Sequence, residues 1–127
     1  MIQGLDHIAL GVSNLDERID FFTDTLGMQL KRLGKHVSTG GRMAFLADAS
    51  GFKIELIETD SDQPAILHLA YRTDNVEVEH ARLVSAGYRS IRGPHELPAA
   101  RAMTALLEDP FRLQVQIVTY APDSPDL

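Results

Sequence analysis

Leu5-Asp6-His7-Ile8-Ala9-Leu10 returns 61 positions later as Ile66-Leu67-His68-Leu69-Ala70-Tyr71. In each copy a histidine interrupts an apolar run that alternates like a β-strand. The same offset carries Asn14 to Asn75, Ala44 to Ala105, Leu46 to Leu107 and Asp48 to Asp109, and it carries Glu55 to Gln116. Each half therefore has a histidine early and a carboxylate, or its amide, 48 positions on. Metal-type side chains repeated at matching places predict two modules of one plan, with a single site at a pseudo-two-fold axis.

Working outward, alternation over residues 5–12 puts Ile8, Leu10 and Val12 on one strand face and His7, Ala9 and Gly11 on the other. The small Ala9 and Gly11 predict room for a ligand beside His7. Asn14 with Glu17 reads as a capping-box start for a helix whose stripe Leu15, Ile19, Phe22 and Leu26 is core, and Gly27 ends it. Strand-like runs follow near 28–36, 42–47 and 52–58, giving β-α-β-β-β. The second half repeats that order. A strand at 66–73 leads through Asn75 to a helix with Val76, Leu83 and Val84 as apolar contacts, closed by Gly87. Strands near 88–92, 102–108 and 113–119 complete it. Module one spans about 4–59, a polar linker 60–64, module two about 65–120, and 121–127 reads as a loose tail.

With 127 residues the chain suits one domain, since halves of about 60 residues would each be marginal alone. Zero cysteines exclude disulfides, zinc ribbons and thiol catalysis and fit a cytoplasmic location. No apolar run approaches the roughly 20 residues of a membrane span, and the N-terminus lacks signal-peptide character. A net charge of −6 argues against nucleic acid as a partner.

The chemistry lies on the strand faces. Lys53, Glu55 and Ile57 share one face, as do Gln114, Gln116 and Val118, while Ile54 with Leu56 and Val115 with Ile117 form apolar faces for the helices to cover. A buried Glu55 needs a cation or a donor network. A divalent metal held by two imidazoles and a carboxylate satisfies His7, Glu55 and His68 together, and Gln116 can add a neutral oxygen. On the second strand His68, Ala70 and Arg72 share a face, so Arg72 can grip a substrate carboxylate or phosphate. His95, in Arg92-Gly93-Pro94-His95-Glu96, is a second substrate-binding candidate from a loop. His36 and His80 read as surface or helix-edge residues.

These motifs resemble the vicinal oxygen chelate superfamily, which comprises the glyoxalases, bleomycin-resistance proteins and extradiol dioxygenases. The resemblance is carried by Leu5-Asp6-His7-Ile8-Ala9-Leu10, by Phe21-Phe22 through Leu26-Gly27-Met28, by Lys53-Ile54-Glu55-Leu56-Ile57, by Leu67-His68-Leu69-Ala70, and by Glu108-Asp109-Pro110 leading to Gln116. It implies an α+β fold in which two tandem βαβββ modules form a U-shaped half-barrel around a central cavity, all within one domain. It further implies one divalent metal (Zn, Ni, Fe or Mn) on His7, Glu55, His68 and Gln116, a small-molecule substrate chelated through vicinal oxygens, and a homodimer. The activity implied is that of a glyoxalase-like lyase or isomerase with Glu55 as the catalytic proton carrier. The alternatives are an Fe(II) extradiol-type dioxygenase, a methylmalonyl-CoA epimerase-like isomerase and a metal-free antibiotic- or metabolite-binding resistance protein. The chain departs from the family pattern in three places. Gln116 stands where the last ligand is usually glutamate, and Gly11 where glyoxalase I has arginine. The turn Asp109-Pro110-Phe111-Arg112-Leu113 lacks the usual glycine.

Overall fold

Alternating strands closed by aspartate-anchored turns set up the same four-strand arrangement twice. A computed structural model describes residues 1–37, 39–61 and 63–127; Ser38, and Asp62 of the expected linker 60–64, lie outside the described residues. The elements in chain order are β1 (Ile2–Val12), α1 (Leu15–Asp20), β2 (Gln29–Lys35), β3 (Arg42–Ala47), β4 (Lys53–Glu58), β5 (Ala65–Thr73), α2 (Val76–Ser85), β6 (Arg89–Leu97), β7 (Ala102–Glu108) and β8 (Gln114–Tyr120). This is the expected α+β class with two β-α-β-β-β passes. The chain divides into two compact units, one made of His7–Leu67 and the other of Met1–Asp6 with His68–Leu127. Strand order is β2-β3-β4-β1 in the first and β5-β8-β7-β6 in the second. Among the described residues no helix is long and apolar enough to cross a membrane.

Within each unit the first and last strands of the pass pair in parallel, and the others are antiparallel. The two parallel registers match at the 61-residue offset: Ala9 stands opposite Glu55, and Ala70 opposite Gln116. Side chains of opposite parity go beneath the helices, as alternation predicts. Leu15 and Ile19 of α1 pack on Val12, Ala44, Leu46 and Leu56. Val76 and Leu83 of α2 pack on Ala105, Leu107 and Ile117.

The helix starts differ. Asn75 caps α2 as its residue type favours, its Oδ1 accepting from Val78 N at 3.0 Å. Asn14, expected to cap α1, is left-handed (φ 52°) and makes no side-chain cap bond. Leu15 N instead donates to Glu58 Oε2 at 3.3 Å, so a strand carboxylate from outside the helix serves α1. Arg42 holds Glu58 with Nη2 to Oε2 at 3.0 Å, and Asp16 with Nη1 to Oδ1 at 3.1 Å. Two exposed residues correct the expected helix stripes. Leu26 is 65% exposed, because α1 runs on into a π turn over Phe21–Thr25, where Leu26 N donates to Phe21 O. A π turn holds more residues than 3.6 and rotates Leu26 off the stripe. Val84 is exposed as well, and the residue of α2 buried besides Val76 and Leu83 is Glu79, which pairs with Arg82.

The strand-joining turns repeat atom for atom. Asp48 Oδ1 accepts from Ser50 N and Phe52 N, both at 2.9 Å. Asp109 Oδ1 accepts from Phe111 N at 2.8 Å and Leu113 N at 2.9 Å. The left-handed residue is Gly51 (φ 90°) in the first turn and Arg112 (φ 73°) in the second. The same turn therefore forms without its glycine, at the steric cost of a side chain in left-handed backbone. Residues 121–127, expected to be loose, are tied down. Ala121 N donates to Arg101 O at 2.8 Å, Arg101 pairs with Asp123 at 2.8 Å, Ser124 Oγ donates to Ala100 O, and Asp126 is buried.

Two outcomes follow. Arg112→Gly should raise stability by about 1 kcal/mol, seen as a higher Tm, because it relieves the left-handed strain. Hydrogen bonds from Arg42 and then from Leu15 N hold the Glu58 carboxyl below its ordinary value. Its contribution is complete above the usual glutamate range and disappears as pH falls through the lowered value. Glu58→Gln should therefore flatten the acid limb of stability against pH, measured by urea unfolding at a series of pH values.

Candidate functional site

His7 and Glu55 reach one place because β1 and β4 pair in parallel, with His7 opposite Lys53 and Ala9 opposite Glu55. Glu55 is thus one register step along from His7 on the same face. The two side chains are buried, and His7 Nε2 lies 3.5 Å from Glu55 Oε1. That exceeds the span of a good N–H···O hydrogen bond. It matches two ligands of one ion, since donors 2.0–2.2 Å from a tetrahedral metal stand about 3.4 Å apart. Phe45, opposite Glu55 on β3, meets the His7 ring edge-on at 4.7 Å and 76°, which restricts the imidazole's orientation. The face is otherwise lined by Ala9, Met43 and Ile57, with Leu67 packed against them. A carboxylate in such apolar surroundings needs a charged or strongly donating partner. The room expected beside Gly11 is filled by protein: a Cβ there would stand 3.1 Å from Thr59 Cγ2 and 3.2 Å from Leu67 Cδ2.

In the second unit His68 is buried on β5, as His7 is on β1. His7, Glu55 and His68 are each buried, and each is of a residue type that can hold a metal ion. Gln116 occupies on β8 the register that Glu55 has on β4. Its Nε2 donates to Thr104 Oγ1 at 2.9 Å, and Thr104 Oγ1 donates to Ile117 O at 2.7 Å. This chain orients the amide and gives it a fixed nitrogen end.

Arg72 is exposed, with its Nε 3.8 Å from Asp6 Oδ1. Asp6 is buried and accepts from Tyr120 Oη at 2.6 Å. His95 sits on β6 opposite Thr104, not in a loop. Residues 92–97 stay in the strand by way of two register shifts, which let Gly93-Pro94 pass without breaking the pairing. The His95 ring is also engaged locally, Nδ1 lying 2.7 Å from Gly93 O. His80 Nε2 lies 2.8 Å from Ser90 Oγ, and His36 Nδ1 lies 3.2 Å from Thr39 Oγ1. Both histidines make structural contacts.

On the two strands that carry His7 and Glu55, sequence reasoning missed two buried charges. Lys53 is 6% exposed beside Glu55, and Asp6 is 5% exposed. Parity placed Lys53 on the Glu55 face, but a lysine there reads as solvated until its burial is known. Asp6 had no signal besides its place next to His7.

Relatives bear on what such a site does. A methylmalonyl-CoA epimerase from Mycobacterium tuberculosis superposes with a TM-score of 0.83 at 27% identity, over 95% of this chain and 90% of that one. A variant Streptomyces coelicolor methylmalonyl-CoA epimerase in complex with 2-nitronate-propionyl-CoA has a TM-score of 0.81 at 20% identity, over 98% and 99%, and shows the fold alone. The uncharacterised protein YwbC of Bacillus subtilis (strain 168) is 32% identical over 88 residues, 65% of this chain and 70% of YwbC. Residues 4–117 match the family described as Glyoxalase/Bleomycin resistance protein/Dioxygenase superfamily. With the paired βαβββ passes and the buried histidine–glutamate pair, that match shows that the chain belongs to this superfamily.

Proposed function

We propose that the chain is a metal-dependent isomerase or lyase that moves a proton on a small substrate bearing two neighbouring oxygens, with the epimerase-like isomerase favoured. The observation that carries this is the buried His7–Glu55 pair, 3.5 Å apart on a face shared with Ala9, Met43 and Ile57. The 27% identity to a methylmalonyl-CoA epimerase along nearly the whole chain supports the isomerase class over the others.

In this reading His7, Glu55 and His68 would hold the ion, and Gln116 would add a neutral oxygen donor. When bound, a divalent metal supplies Lewis-acid polarisation of the substrate oxygens. Glu55 Oε would accept the proton from the carbon next to the substrate carbonyl and return it to the neighbouring atom, or to the other face of the same carbon once the flattened substrate has turned, so that the product differs from the substrate. The apolar neighbours Ala9, Met43 and Ile57 keep water from competing for that proton. Gln116 cannot carry a proton, so its counterpart Glu55 is the one proton-transferring ligand of the four. Arg72 and His95 contact the substrate outside this centre, Arg72 through an anionic group.

Metal analysis of protein purified without added metal is the first test: about one equivalent of Zn, Ni, Fe or Mn per site is expected. Failure to take up any of the four overturns the proposal and favours a metal-free binding protein. In deuterated solvent, methylmalonyl-CoA serves as the probe for exchange at the carbon between its carbonyls. Glu55→Gln should slow that exchange by about 100-fold or more, the range of a lost general base, and weaken metal uptake. Gln116→Glu should tighten metal binding by adding a charged oxygen. Unchanged affinity and rate in that variant would remove position 116 from the ligand set.

A further inference from the structure

Gln116 differs from its counterpart Glu55 in a way that the scaffold has to answer. A carboxylate carries two acceptor oxygens, so either way round it offers an oxygen. An amide carries one acceptor oxygen and one donor nitrogen; turned the wrong way, it offers N–H protons, which repel a cation. Glutamine at a ligand position therefore carries an orientation requirement that glutamate does not.

Thr104 meets that requirement within the second unit. It is 3% exposed on β7 and stands opposite Val118, two residues beyond Gln116 on β8. A threonine hydroxyl has one proton. Ile117 O can only accept, so the 2.7 Å contact from Thr104 Oγ1 commits that proton to the backbone. At its other contact Oγ1 can then only accept, and the group 2.9 Å away has to be the NH2 end of Gln116. Reversing the amide would set its oxygen against a hydroxyl oxygen with no proton to share, or break a buried bond to Ile117 O. The carbonyl oxygen Oε1 is therefore the end turned away from Thr104, and among the described residues it accepts no hydrogen bond.

The internal repeat supplies a comparison. At the 61-residue offset Thr104 stands where Met43 does, and Gln116 where Glu55 does. The registers agree, Met43 lying opposite Ile57 and Thr104 opposite Val118. The unit with the symmetric carboxylate has an apolar side chain at the neighbouring place, and the unit with the asymmetric amide has a hydroxyl. One requirement accounts for both differences. We infer that Thr104 is a positioning residue, which anchors the Gln116 nitrogen and so reserves Oε1 for a cation. That the cation is a divalent metal rests on the proposed function; the orientation of the amide does not.

The test reads the Gln116 side-chain amide by NMR in the metal-free full chain, and zinc affinity by chelator competition. The wild type should show a slowly exchanging Gln116 NH2 pair, identified by its loss in Gln116→Glu. Thr104→Ser should keep the slow exchange and Thr104→Val should lose it. Thr104→Val should also weaken zinc binding about tenfold, within the range for residues that orient a ligand from behind, with Thr104→Ser close to the wild type. In the Gln116→Glu background, Thr104→Val should change zinc affinity by less than about twofold, because a carboxylate needs no orienting. Thr104→Val that keeps the slow exchange, or that weakens zinc binding equally in both backgrounds, overturns the inference. Thr104→Ala carries the same comparison if Thr104→Val does not fold. If the wild type takes up no zinc, the proposed function fails; slow exchange lost in Thr104→Val then still supports the anchor, and slow exchange kept overturns it.

Discussion

Parallel pairing of the first and last strands of each βαβββ pass is the constraint on which the site depends. It places Ala9 opposite Glu55 and Ala70 opposite Gln116, so that a histidine and an oxygen donor come to the same face of neighbouring strands. A slip of one residue would turn Glu55 under α1 and Leu56 onto the site. The register is held from the other side, because Leu56 and Ile117 are fully buried beneath the helices. The core therefore fixes the chemistry through the strand period of two.

The repeated scaffold supports unlike chemistry in its two copies. Met43, Phe45, Lys53 and Glu55 have Thr104, Leu106, Gln114 and Gln116 as counterparts. The first unit thereby concentrates charge around one aromatic ring, with a carboxylate, two cations and an imidazole. The second builds a neutral chain of hydrogen bonds from Gln116 through Thr104 to a backbone carbonyl. A carboxylate can exchange a proton and an amide cannot, so the two copies offer oxygen donors in matching registers with unlike proton chemistry.

Places where sequence patterns and structure part are local contests that a distant residue wins. Asn14 has the residue type of a helix cap, yet Glu58 from β4 takes that role and leaves Asn14 left-handed. Leu26 continues the periodic stripe on paper, but the π turn at Phe21–Thr25 shifts the phase before the chain reaches it. Gly11 leaves space along its own strand, and Thr59 and Leu67 fill it. His95 follows Gly93-Pro94, which reads as a loop, and the register shifts of β6 absorb that interruption. In each case the deciding atom lies outside the window in which a pattern can be read.

The histidine pair, its offset to Glu55 and Gln116, the parity of the strands and the family were all determined by the sequence, since alternation and spacing are properties of the chain alone. Tertiary structure alone decided which polar side chains lose their water. Lys53 and Asp6 look like ordinary solvated charges until neighbouring strands close over them. Burial is a sum over distant neighbours, and no local pattern contains it. That is why the metal-type residues were legible from the chain, and the cations beside them were not.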